Sequence, residues 1–280
     1  MSEQGLNCGG KVLDLSRPCI MGIVNVTPDS FSDGGRFLDP DAAIAQAKRL
    51  VAEGADIVDI GGESTRPGAS PVDAETEIRR IIPIVECLAA ELSVPVSVDT
   101  GKPEVMRAAK DAGAGLINDV FALRAPGALA AAAESGLPVC LMHMQGEPRT
   151  MQRNPHYDDV IAEVIAFLED RTAACIAAGI VRERIVIDPG FGFGKTLSHN
   201  YQLLAGLSAF APLGLPVLVG VSRKSMIRGI LADNEKRLVA SATAAALAVE
   251  RGASIVRVHD VAETVAALAV AKAVRAPDKL

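Results

Sequence analysis

Eight short apolar, mostly β-branched runs punctuate the chain, and each ends abruptly in polar residues. They are IMGIVNV, ADIVDIGG, PVSVDT, GLINDV, PVCLMH, RIVIDPG, PVLVGVSRK and SIVRVHD. A stretch that reads as helix follows each run. The first such helix begins at Asp39-Pro40, with proline at the first helical position. Its apolar residues Ala43, Ile44, Ala47, Leu50 and Val51 recur at helical spacing, and Gly54 stands where a left-handed cap ends it. Residues 158–178 repeat this logic up to Gly179, and residues 263–275 read as the last helix.

Continuous apolar runs suit parallel strands that are covered on both faces. Successive units lie roughly 30 residues apart, the fourth and fifth closer together. They predict an α/β fold, a (β/α)8 TIM barrel, which takes about 250 residues. An open doubly wound sheet is the alternative; eight similar units in succession favour closure. The 280 residues divide into a short N-terminal extension, 1–18, expected to cover the barrel bottom, and a single barrel domain, 19–280. No Gly/Ser-rich or Pro-rich tract splits them.

Side chains alternate faces along a strand. Applied to all eight runs, this rule puts Asn25, Asp59, Asp99, Asn118, Met142, Asp188, Ser222 and Arg257 on one side near the strand ends. Their apolar neighbours then face the helices. A polar ring at the C-terminal mouth is where barrel enzymes carry out chemistry. Capping of helices and loops would account for one or two such residues, but not for eight in register.

The net charge of −6 gives no support for nucleic-acid or anionic-membrane binding, so an anionic small molecule would need a local basic site. The first residues lack the apolar core of a signal peptide, and no run reaches membrane-spanning length. The five cysteines, Cys8, Cys19, Cys87, Cys140 and Cys175, are odd in number and scattered, as expected of free thiols in a reducing cytoplasm. The four histidines lack metal-ligand spacing. The segment DPGFGFGKT fails as a phosphate-binding loop, because Pro189 stands where the first glycine belongs. It also fails as a dinucleotide loop, because Lys195 occupies the third glycine position.

The run ends carry NVTPDSFSDGG (25–35), GESTRPG (62–68), VDT (98–100), Asn118-Asp119, DPGFGFGK (188–195), SRKS (222–225) and RVHDV (257–261). Together and in this order, they resemble the dihydropteroate synthase family over roughly residues 19–275. The resemblance implies a TIM barrel that condenses 4-aminobenzoate with a hydroxymethyl-dihydropterin diphosphate and releases diphosphate.

For the pterin the resemblance implies Asp188 against adjacent N–H donors, Asn118 and Asp99 at further ring positions, and Lys224 at the carbonyl side. Met142 and Phe193 could pack the flat faces or simply belong to the core. For the diphosphate it implies Arg257 and His259, with Thr65 and Arg66 assisting, and Mg²⁺ held through diphosphate oxygens and Asn25. For aminobenzoate, Ser222 can anchor the carboxylate with Thr65 and Lys224 nearby, and Phe31 and Pro67 can wall the ring. Asn25, Asp99, Lys224 and Arg257 are the expected catalytic residues. The expected partners are these two small molecules and a second copy of the chain in a homodimer, without nucleic acid or membrane. A pterin-dependent methyltransferase and a non-catalytic pterin binder are the competing readings. SRKS, RVHDV and the long first loop speak against the first; Asn25, Lys224 and Arg257 speak against the second.

Overall fold

Every apolar run supplies one strand in the computed structural model, which describes residues 5–27, 39–65, 69–231, 233 and 236–275. A hairpin precedes them: β1 (Gly5–Cys8) pairs antiparallel with β2 (Lys11–Asp14). The barrel strands are β3 (Cys19–Asn25), β4 (Ile57–Gly61), β5 (Val96–Asp99), β6 (Leu116–Asp119), β7 (Val139–Met142), β8 (Ile185–Asp188), β9 (Leu218–Val219) and β10 (Ile255–Val258). They form one eight-stranded parallel sheet, in the order β8-β7-β6-β5-β4-β3-β10-β9. A single parallel bridge, Ile187 to Val217, joins the two ends and makes this a nearly closed barrel. Pro216 explains the thin seam: it has no N–H to donate, but its carbonyl accepts from Ile187 N at 3.0 Å.

The helices between strands are α1 (Pro40–Ala52), α2 (Ala74–Glu91), α3 (Pro103–Asp111), α4 (Ala128–Ser135), α5 (Val160–Ala177) and α6 (Leu197–Ala205). After β9 come α7 (Ser225–Ile230) and α8 (Arg237–Glu250), and α9 (Val261–Arg275) follows β10. Asp39 caps α1 by accepting from the Asp41 and Ala42 amides, and Asp159 does the same for α5. The last helix starts two residues before the expected Glu263. There the Asp260 carbonyl accepts both the amide and the hydroxyl of Thr264, which extends the first turn.

Alternation along the strands divides the apolar interior. Outward residues such as Val24, Val58, Ile60, Val98, Leu141 and Val256 pack with Leu50, Ile81, Leu88 and Leu168 of the helices. Inward residues Met21, Ile57, Leu116, Cys140, Val186, Leu218 and Ile255 form a separate plug. Leu6, Cys8 and Leu13 of the hairpin join this plug and close the bottom. Each such aliphatic side chain contributes about 1.5–3 kcal/mol on burial. With the bottom filled by hydrocarbon, the polar ends of the strands can meet only at the opposite mouth.

Candidate active site

Strand register assembles the ring. Gly61 lies beside both Asn25 and Asp99, Asp99 beside Asn118, and Met142 beside Asp188. Asp59, Asn118 and Asp188 are buried, and Asn25, Asp99 and Arg257 are half-buried.

Arg257 links three strands. Its Nε donates to Asp59 Oδ2 at 2.6 Å and its Nη2 to Asp99 Oδ2 at 2.9 Å. Asn118 Nδ2 donates to the same Asp59 oxygen at 3.1 Å. The other oxygen, Asp59 Oδ1, is buried with no hydrogen-bond partner among the described residues. Such an acceptor is costly to leave unmatched and calls for a ligand donor. Burial disfavours the Arg257 cation, but Asp59 and Asp99 more than offset this and its pKa rises above the ordinary arginine value. Burial pushes the Asp99 carboxyl up, against the opposing pull of Arg257.

Asp188 and Lys224 build the adjoining wall. Asp188 Oδ1 accepts the Gly190 amide at 2.7 Å. Burial raises its pKa, with Lys224 and the Gly190 hydrogen bond opposing. Lys224 Nζ donates to the Phe191 carbonyl at 2.5 Å and lies 4.6 Å from the centre of the Phe193 ring. Burial lowers Lys224 to about 8, against Asp188, which favours the charged form. Phe193 packs with Met142, Val120, Met144 and Met151, so the two apolar candidates share one cluster.

Ser222 and His259 also meet: Ser222 Oγ lies 3.1 Å from His259 Nδ1 and accepts the His259 amide at 3.2 Å. Thr65 lines a cleft of about 360 Å³ with Glu63, Phe121 and Arg149. Phe31, Arg66 and Pro67 lie outside the described residues.

Asn25 suits a hard cation. Its Oδ1 borders the space that a Cβ on Gly61 would enter, at 3.9 Å, and Asp99 Oδ2 borders the same space at 3.9 Å. Glycine keeps that space open beside two oxygen donors. Among the described residues no three His, Cys, Asp or Glu side chains converge on a metal position. A Mg²⁺ ion here would therefore take most of its ligands from substrate and water.

Two features carry more than the sequence reading assigned. Asp59, which strand alternation puts in the ring without naming a partner for it, is the acceptor shared by Arg257 and Asn118. Its place in the alternation was the available signal. Lys195 and His143 form a buried contact at 2.9 Å across 52 positions, and no local pattern announced it.

The chain matches the pterin binding enzyme family over residues 21–259. It is 55% identical to the dihydropteroate synthase of Escherichia coli strain K12 over 265 residues, 94% of each chain. The structure of Xanthomonas albilineans dihydropteroate synthase with 4-aminobenzoic acid superposes with a TM-score of 0.93 at 56% identity, covering 98% of this chain and 99% of that one. The same enzyme in complex with 7,8-dihydropteroate gives a TM-score of 0.89 at 54% identity, covering 97% and 99%.

Proposed function

Because the chain belongs to the pterin-binding enzymes, among the dihydropteroate synthases, we propose that its polar ring holds both substrates and favours departure of the diphosphate. The reaction joins the methylene carbon of (7,8-dihydropterin-6-yl)methyl diphosphate to the amine of 4-aminobenzoate, giving 7,8-dihydropteroate and diphosphate. The observation that carries the assignment of positions is the carboxylate wall of Asp59, Asp99 and Asp188 with one buried, unmatched acceptor at Asp59 Oδ1. A flat heterocycle edged with N–H donors supplies what that wall lacks.

In this reading Asp188 and Asn118 take the amino-pyrimidine edge, Asp99 a further ring N–H, and Lys224 the ring carbonyl. Met142 and Phe193 cover the faces. Arg257 has five N–H donors, of which Asp59 and Asp99 engage two, leaving capacity for a phosphate oxygen. His259 adds a donor beside it, and Thr65 and Arg66 extend the anion site. Asn25 and diphosphate oxygens would hold Mg²⁺, which when bound neutralises charge on the leaving group. Ser222, Thr65 and Lys224 receive the aminobenzoate carboxylate; the part of Phe31 and Pro67 in walling its ring rests on the family resemblance alone.

The step is dissociative. The C–O bond breaks with its electron pair leaving on diphosphate, and Arg257 favours the developing charge. The resulting pterin-methyl cation is delocalised into the ring, and Asp99 and Asp188 offset its charge. The arylamine lone pair then forms the C–N bond, and the amine proton passes to water. An arylamine is uncharged at neutral pH, so no strong base is required. Diphosphate release that depends on 4-aminobenzoate tests the activity; no release at high enzyme concentration refutes it. A large carbon isotope effect characteristic of direct displacement at the methylene would replace the cation.

The enzyme acts as a homodimer in this reading, through Val239 and Leu247 of α8 and Val270 and Val274 of α9, which are exposed apolar residues on packed helices. Light scattering in solution tests it, and a monomer at micromolar concentration removes it. No helix among the described residues is long and apolar enough to cross a membrane. The free thiols suit the reducing cytoplasm proposed as its location.

A further inference from the structure

Behind the Asp188 wall lies a second lysine for which the reaction has no use. Lys195 is only 3% exposed, and its Nζ meets His143 Nδ1 at 2.9 Å, the Gly190 carbonyl at 3.0 Å and the Phe193 carbonyl at 3.0 Å. An ammonium has three donors, so three acceptors match it fully. The Tyr157 ring lies 6.0 Å away, and Tyr157 Oη donates to the Gly194 carbonyl at 2.8 Å.

The contact stays satisfied in either charge state. Burial, reinforced by Lys195 and Arg124, depresses His143 to about 2, so its ring is neutral. Burial lowers Lys195 to about 7, with Asp188 opposing and Lys224 adding to the fall. A neutral imidazole with its proton on Nε2 accepts from the ammonium. With the proton on Nδ1 it donates to an amine, whose two N–H groups still serve both carbonyls.

The stapled carbonyls matter because of what else those residues hold. The Gly190 amide orients Asp188, and Phe193 forms the floor under Lys224. Gly190 packs so tightly on His143 that a methyl group there would overlap the His143 carbonyl. On the site side the same loop is held by Lys224 through the Phe191 carbonyl. In the function proposed above, on which this inference rests, Lys224 turns to the pterin carbonyl and gives up that hold.

We propose that Lys195, with His143, is a positioning pair for the pterin: it staples the Gly190 and Phe193 carbonyls from behind, so that Asp188 and Phe193 keep their places when Lys224 releases Phe191.

Lys195→Met removes the donors while keeping an unbranched side chain. Charged hydrogen bonds of this kind imply a rise of roughly ten- to a hundredfold in the KM for the pterin diphosphate. The KM for 4-aminobenzoate and kcat should stay within about threefold. A folding defect alone would lower the active fraction, and so kcat, at unchanged KM. His143→Leu should repeat the effect, and His143→Gln, whose amide can turn either its oxygen or its NH₂ toward Lys195, should restore most of it. Asp188→Asn is the control for the pocket: if it leaves affinity for 6-hydroxymethylpterin unchanged, the pterin assignment fails. If it weakens binding and folded Lys195→Met does not, only the staple fails. Hydrogen exchange of the unliganded wild-type protein needs no variant. The Phe193 amide, which donates to the stapled Gly190 carbonyl at 3.1 Å, should exchange as slowly as those of β8, and rapid exchange there would overturn a preformed staple.

Discussion

Arg257 Nε donates to Asp59 Oδ2 at 2.6 Å, joining residues 198 positions apart in the chain. Asp59 is fully buried, and the oxygen that receives Arg257 also receives Asn118. The cation proposed above to face the leaving group is thus held by a carboxylate on the second barrel strand. Asp59→Asn keeps the shape and removes the charge. Loss of one member of a buried pair should cost about 3 kcal/mol in a urea titration, because among the described residues Arg257 keeps one hydrogen-bonded carboxylate, Asp99. Turnover should fall at least about tenfold; unchanged kcat would mean that Arg257 does not depend on Asp59.

Asp188→Asn should weaken pterin binding by at least about tenfold, since a paired charged hydrogen bond becomes a neutral one. Affinity for 4-aminobenzoate should be unaffected. Calorimetry with each ligand separately reads both; equal loss for the two would place Asp188 outside the pterin pocket.

Lys224 is pulled down to about 8 by burial. Only its ammonium form carries the charge that the proposed contacts with a pterin carbonyl and a carboxylate require. Below that pH the free enzyme is competent, so kcat/KM should decline as pH rises through about 8. Lys224→Arg, whose guanidinium stays charged, should move this limb upward even if overall activity is lower. A pH profile that keeps the limb in place assigns it to another group.

Removal of Mg²⁺ by a chelator should abolish turnover, and added Mg²⁺ should restore it. Asn25→Ala should raise the Mg²⁺ concentration for half-maximal rate by about tenfold, as expected for loss of one hard oxygen ligand. An unchanged Mg²⁺ requirement would remove Asn25 from the proposed metal site.

Leu6→Ala tests the hairpin as a bottom plug. Leu6 is 1% exposed and packs with the inward residues of the barrel. The cavity should cost about 2–5 kcal/mol of stability. KM for either substrate should not change, because this apolar layer lies below the polar ring. A selective effect on KM would mean that the plug communicates with the mouth.

The chain alone specified the barrel and the composition of its mouth, because both follow from period. Parallel strands covered on two faces must be apolar throughout, and the alternation of side chains carries Asn25, Asp59, Asp99, Asn118, Met142, Asp188, Ser222 and Arg257 to one side. Asp39-Pro40 and Gly54 marked a helix for equally local reasons, capping and backbone freedom. Only the tertiary structure decided which of these side chains bind one another. Arg257 could have faced solvent or Asp188; strand register and barrel closure set it between Asp59 and Asp99. Lys195 read simply as the end of a glycine-rich motif, and its staple exists because folding brings His143 within 2.9 Å. Local preferences act within a few residues, whereas these contacts depend on the packing of segments far apart in the chain.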